Sequence, residues 1–242
     1  VFDDTGQRLS QYQLSTYKLE LAAGRDFGTW GEGRLSYYRE SGSADVTIGA
    51  PAPKTDVDLG YGFLRLSADK LDNVNFPTAG LLGLAEYRVS RQGLGASADY
   101  DQAVLQYVHA ATWGRNTFIG KISGFSTMEG TAPVGAHARL GGWLRLSGLQ
   151  ENQLNGQYAG LIDLTYMRRI VDIQYLKTYV GASLEQGNVW QDSKAISFAN
   201  TITAGSVFLG VDTPIGPLYF TYGHANTGEY SFYIYLGPRL TF

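Results

Sequence analysis

Cysteine is absent from all 242 residues, which removes disulfides and thiolate metal sites; an oxidising compartment neither requires nor forbids this, so location stays open. Histidine is nearly absent too, and His109, His137 and His224 lie in separate segments with no zinc-ligand spacing. No GxSxG elbow occurs, and glycine runs such as GLGAS lack the strand-to-helix setting of a phosphate loop. The expectation is therefore no enzyme activity within this stretch, and no metal or other cofactor. Charge of one sign is scarce as well: the net charge of -3 implies neither a nucleic acid nor an anionic surface as partner. No window approaches the eighteen or so uninterrupted apolar residues of a membrane helix. The opening VFDDTGQRLS has no charged segment followed by an apolar core, so any export signal is expected upstream or already removed.

What is present is aromatic residues and glycine. Seventeen Tyr, eleven Phe and four Trp with thirty-one Gly fit interfacial aromatic girdles on a sheet that must bend and close. The last fourteen residues, EYSFYIYLGPRLTF, carry the clearest pattern. Tyr230, Phe232, Ile234, Leu236, Pro238, Leu240 and Phe242 alternate with Ser231, Gly237, Arg239 and Thr241, one greasy face against one that meets water. Where such alternation recurs along a whole chain with aromatics flanking it, the natural solvent for the greasy face is lipid. The mean hydropathy of -0.15 does not oppose this, because a barrel wall averages its lipid half with its polar lumen half.

Period-two alternation predicts about eleven strands in one domain spanning 1–242. They fall near Gln11 to Gly24, Trp30 to Ser41, Val57 to Phe63, Leu81 to Arg91, Asp101 to Ala111, Asn116 to Gly124, Gln157 to Val171, Lys177 to Trp190, Ala199 to Asp212, Gly216 to Tyr222 and Glu229 to Phe242. Residues 42–54 read as a polar connection. From Phe125 to Gly156 periodicity fails, and so long an irregular segment in a compact domain is normally functional or disordered. Pro77 and Gly80, and Pro214 and Gly216, read as turn formers. If the last strand runs inward, the turns RDFGT, DNVNFPTAG, TWGRN and DTPIGP share the periplasmic side, and the irregular segment lies outside or folds back into the lumen. Eleven strands put the two termini on opposite sides, whereas single-chain bacterial barrels have an even count. Either residues 1–4 are the stub of a twelfth strand or strands upstream are missing; both are expected.

Five segments fall in a particular order: LDNVNFPTAG at 71–80, LGG at 140–142 followed by LSG at 146–148, EQGNVW at 185–190, GVDTPIGPLYFTYG at 210–223, and the terminal aromatic. Together they resemble the outer-membrane assembly and secretion barrel superfamily that includes BamA and the two-partner secretion transporters, over nearly the whole chain. LSG and LEQGNVW most resemble the translocator barrel of the patatin-like phospholipase autotransporters. The resemblance implies an all-β antiparallel transmembrane barrel in the Gram-negative outer membrane, with this chain as the C-terminal two-thirds of sixteen strands. It also implies an upstream periplasmic domain and a lipid hydrolase as passenger, any lipase activity residing in that absent domain. Outer-membrane lipid and the barrel-assembly machinery reading the strand that ends at Phe242 are the further partners implied, and a homodimer with a second copy of the chain is an open alternative. Alone, this segment has three routes to closure: a smaller twelve-stranded barrel, pairing with a second copy, or the missing residues.

The superfamily's hallmark is an Arg-Gly pair at the tip of a long loop that folds into the lumen and meets an acid on the wall. Aligned from Leu140, Gly141 and Gly142, the corresponding residues are Leu146, Ser147, Gly148 and Leu149, so the arginine has become Ser147. Glu185, with Ser183 and Gly187 on the same strand face, takes the place of the wall acid. In extended backbone Arg145 shares a face with Ser147 and offers a substitute charge. A water-filled lumen supplies little hydrophobic drive to hold a loop, so a charge pair or dense hydrogen bonding is needed. Arg145 with Glu185 is one reading; ordinary solvated charges are the other. Gly141, Gly142 and Gly148 suit close backbone approach, or a flexible surface loop. Further lumen candidates are Lys18, Glu20, Glu32, Arg34, Asp58, Glu86, Arg88, Lys121, Asp163, Arg169 and Arg239, whose mixed signs favour cross-strand pairing over a selectivity ring. The expected function is a translocator or anchor for an upstream passenger, with a passive porin-like channel and an anchor without transport as alternatives.

Overall fold

The structure, a computed structural model, describes residues 10–49, 55–173 and 176–237. Eleven antiparallel strands form one sheet: β1 (Ser10–Asp26), β2 (Glu32–Gly49), β3 (Thr55–Asp69), β4 (Gly80–Ser90), β5 (Tyr100–Trp113), β6 (Asn116–Gly130), β9 (Tyr158–Ile173), β10 (Leu176–Trp190), β11 (Ile202–Thr213), β12 (Gly216–Ala225) and β13 (Tyr230–Leu236). The two short strands β7 (Ala138–Leu140) and β8 (Leu154–Gly156) pair only with each other, inside the excursion between β6 and β9. Each strand of the large sheet pairs with its neighbour in the chain, β6 pairing with β9. Among the described residues β1 and β13 are the two edges. Residues 1–4 and the terminal positions Pro238, Arg239, Leu240 and Phe242 lie outside the described residues, so the twelfth-strand stub and the terminal aromatic do too.

Local chemistry sets the hairpins. β5 and β6 join through two residues, with Trp113 opposite Asn116 and Gly114 at φ 64°, a backbone region that a tight hairpin demands and glycine enters freely. β11 and β12 join equally tightly through Pro214 and Ile215. Successive hairpins place connections 27–31, 70–79, 114–115 and 214–215 at one end of the sheet, and 91–99, 131–157, 191–201 and 226–229 at the other.

Period two decides the faces. On β13 Tyr230, Phe232, Ile234 and Leu236 are exposed while Ser231, Tyr233 and Tyr235 turn inward, and Leu184, Val207 and Phe220 belong to the same outer surface. An outer surface that is apolar along strand after strand is the surface of a lipid-facing wall. The inner surface closes on itself: Leu82, Val108, Ile119, Met167, Tyr179, Phe208 and Tyr219 come from seven different strands yet pack in one cluster, so the sheet curls around an interior.

Three sequence expectations change. β2 continues to Gly49 and β3 begins at Thr55, so 42–49 is strand and not loop; hairpins longer than the roughly 9–11 residues a tilted strand needs to span project beyond the lipid, where no alternation is required. β6 likewise runs to Gly130, which shortens the irregular segment to 131–157. On β3 the faces are opposite to expectation: Leu59 and Phe63 are buried inside while Leu64 and Leu66 face out, so Asp58 is not a lumen charge. It bonds Arg39 and Ser41 on the outward face near the rim. Both faces of β3 carry large apolar residues, and alternation alone does not choose between them.

Candidate functional site

The interior has two characters. Along β1 to β4 it is charged and aromatic: Lys18 meets Glu40 at 3.4 Å, Glu86 bonds both Arg65 and Arg88, and Arg88 lies over the ring of Tyr61, which stacks on Tyr38. Along β5 to β13 it is filled by the 131–157 segment. That segment leaves β6, forms the β7–β8 hairpin, and carries Leu140, Trp143, Leu144, Leu146 and Leu149 into the barrel, none more than 6% exposed. These side chains pack on Leu161, Ala204 and Ala225 of the wall, and Trp143 and Leu144 reach the seven-strand cluster. The expectation that the lumen offers the loop little hydrophobic drive is therefore wrong on this side, because the wall there presents Leu, Ala and aromatic rings where a porin would present water.

Glu185 is the centre of the polar part. It is fully buried on β10, and each carboxylate oxygen accepts two hydrogen bonds. Oε2 takes the backbone N–H groups of Leu146 at 2.6 Å and Ser147 at 2.7 Å, while Oε1 takes the hydroxyls of Ser147 and Ser183, both at 2.6 Å. Two successive N–H groups converge on one oxygen because the loop is not extended here: Leu144 and Leu146 have φ of 60° and 76°, a region that non-glycine residues enter only where surrounding contacts hold them. The same conformation separates Arg145 from Ser147. The alternation that put their side chains together holds for extended chain only, and the Arg145 guanidinium donates to the carbonyl of Arg139 within the loop. The acid on the wall is met by backbone and serine groups.

The nearby cation is on the wall. Lys121 of β6 is buried and donates to the carbonyl of Leu144 at 2.8 Å. In register Lys121 stands opposite Asp163, and Asp163 opposite Glu185, so a cation and two carboxylates form a row across β6, β9 and β10 beneath the loop. A buried carboxylate without compensation is costly, and this lysine supplies a compensating charge. Lys121 and Asp163 were legible from sequence as lumen residues, but not as loop partners.

The remaining contacts tie the loop to the last three strands. Trp143 donates through Nε1 to Ser206 at 3.0 Å, and Ser206 meets Ser183 at 2.7 Å, which links the indole to Glu185. Gly148 donates to the Tyr233 hydroxyl at 2.9 Å, which in turn donates to the Leu149 carbonyl, and Ser231 donates to the Gly148 carbonyl at 2.8 Å. The loop passes so close to β12 that a Cβ on Gly148, at φ 108°, would lie 2.7 Å from the backbone nitrogen of Ala225. Gly141 and Gly142 also have positive φ, at 121° and 105°. Of the residues expected at the site, Leu140, Leu146, Ser147, Gly148 and Glu185 thus come together within the barrel. Sequence reading missed Trp143 within the loop and Lys121, Ser206 and Tyr233 as its wall partners; the inward phase of β13 was the available signal for Tyr233.

Neither a family model nor a curated protein matches this sequence. Solved structures do match, among them the crystal structure of BamA from Haemophilus ducreyi lacking POTRA domains 1–3, with a TM-score of 0.75 at 12% identity, covering 92% of this chain and 54% of that one. The chain therefore spans about half the length of that structure. Likeness at this identity is likeness of fold: the architecture is that of an all-β outer-membrane barrel, similar in fold to that BamA structure.

Proposed function

We propose that the chain is the outer-membrane translocator or anchor barrel of an autotransporter-type secretion protein, which carries or exports an upstream passenger through a lumen controlled by the 131–157 loop. The passenger that the motif resemblance favours is a patatin-like lipid hydrolase, and any enzymatic chemistry belongs to it. One observation carries the reading: a loop buried inside the barrel and held by hydrogen bonds with β6, β10, β11 and β13 suits a conduit that is closed at rest, and it disfavours a constitutively open porin. In planar bilayers the intact protein is expected to show little conductance, and a variant lacking residues 136–150 to show more; large conductance from the intact protein would favour the porin.

A lumen filled by apolar side chains also suits a permanent anchor. External protease added to intact cells separates the two. Cleavage of the passenger supports export, whereas a passenger protected until the membrane is broken leaves the anchor.

A further inference from the structure

The segment DNVNFPTAG, read from sequence as a turn and as one of the ordered motifs, does something a turn need not do. From the end of the barrel opposite the loop, it sends Phe76 into the interior, where the ring is 1% exposed. Phe76 stacks on Tyr179 of β10 at 4.4 Å between centroids and tilts against Tyr219 of β12 at 5.1 Å. The Tyr219 hydroxyl donates back to the Asn75 carbonyl at 2.7 Å, and Asn73 accepts from the N–H of Phe76 at 3.1 Å, so the turn is held at its tip and at its base. Gly210 of β11 makes room, since a Cβ there would lie 2.7 Å from the Phe76 ring. On the other side of Tyr219, at 4.8 Å, is Trp143 of the loop.

We infer that the loop and this turn are two halves of one plug, joined through Tyr219, so that displacing the turn at one end of the barrel loosens the loop clasp at the other. The warrant is close packing. Aromatic rings that share a neighbour in a buried cluster cannot lose one member without relaxation of the rest. The turn is the half reachable from the end where it sits, so a partner acting there can act on the loop without touching it. This concerns the packing of the plug and holds whether the barrel exports or anchors.

Hydrogen exchange of the loop amides of Leu144, Leu146, Ser147 and Gly148 in the intact, detergent-folded chain tests it. Phe76→Ala is expected to speed their exchange on the order of tenfold, although every one of these amides belongs to the loop entering from the opposite end. Gly210→Ala, which pushes on the ring without removing it, should act in the same direction and stands in should Phe76→Ala fold poorly. Ile215→Ser, on a neighbouring turn at the same end, should leave the loop unchanged. The Phe76→Ala, Trp143→Ala double variant should speed exchange by less than the product of the single effects. Faster exchange in 70–79 with wild-type exchange in the loop would overturn the inference, as would a fully multiplicative double variant or a uniform rise across all strands.

Discussion

At Glu185 the loop clasp depends on a carboxylate that accepts four hydrogen bonds, two of them from backbone. Glu185→Gln keeps size but removes charge and turns half of the acceptor into a donor, leaving loop N–H groups buried without partners at a cost of about 1–3 kcal/mol. Limited proteolysis should then cut within 140–148 where the wild type resists; equal resistance would show that packing alone holds the loop. Lys121→Met removes both the bond to Leu144 and the cation facing two carboxylates, and is expected to cost about 3–5 kcal/mol in urea unfolding. Combined with Glu185→Gln it should cost less than the sum, because the second change removes a charge that the first left uncompensated. An exchange of charge between Arg145 and Glu185 is not expected to restore the clasp, since the donors that would need replacing are backbone groups. Residue scale is also where sequence reading did least well. Glu185, Ser147 and Gly148 were identifiable from the order of motifs, but their contacts depend on positive φ at Leu144 and Leu146, which no alternation rule reports.

Two elements set whether the interior is open. The loop must pass β12 at contact distance, so Gly148→Ala should displace it: the added carbon meets backbone, which cannot swing aside, and the left-handed conformation is strained for alanine. Bilayer conductance above wild type with unchanged strand content by circular dichroism is the expected result. The opposing turn is pH-sensitive by construction. Burial pushes the pKa of Asp72 up, but hydrogen bonds from the Thr78 hydroxyl and the N–H groups of Ala79 and Thr78 outweigh it, and the carboxyl stays below its ordinary value. A depressed carboxyl contributes stability that is present above the unfolded value, about 3.9, and is lost as pH falls through the folded one. Protection of the amides in 70–79, measured against the intrinsic exchange rate at each pH, should therefore fall on acidification in the wild type, and Asp72→Asn should flatten that dependence. Strand existence was legible here because alternation is local, yet the ends of β2 and β6 were not, since strand beyond the lipid is under no demand to alternate.

For the molecule as a whole, the wall is sorted by solvent. Leu184 and Ile234 face outward among apolar neighbours, and lysine at either should cost about 2–4 kcal/mol if it lies near the bilayer midplane. Heat modifiability of the folded barrel on electrophoresis measures this, and lysine at lumen-facing Glu20 serves as the tolerated comparison. Equal effects at both positions would contradict the sidedness of the strands.

The sequence by itself determined that this is a membrane wall of antiparallel strands, which strand faces lipid in most cases, and where the tight hairpins fall. Those properties follow from period two and from turn chemistry, which act over a few neighbouring residues. Only the tertiary structure decided what fills the barrel. Tyr219 and Asn75 are 144 positions apart, and Ser147 and Glu185 are 38 apart on different elements. Such contacts arise when the sheet curls and brings opposite walls to one interior, where burial selects the partner and period two does not.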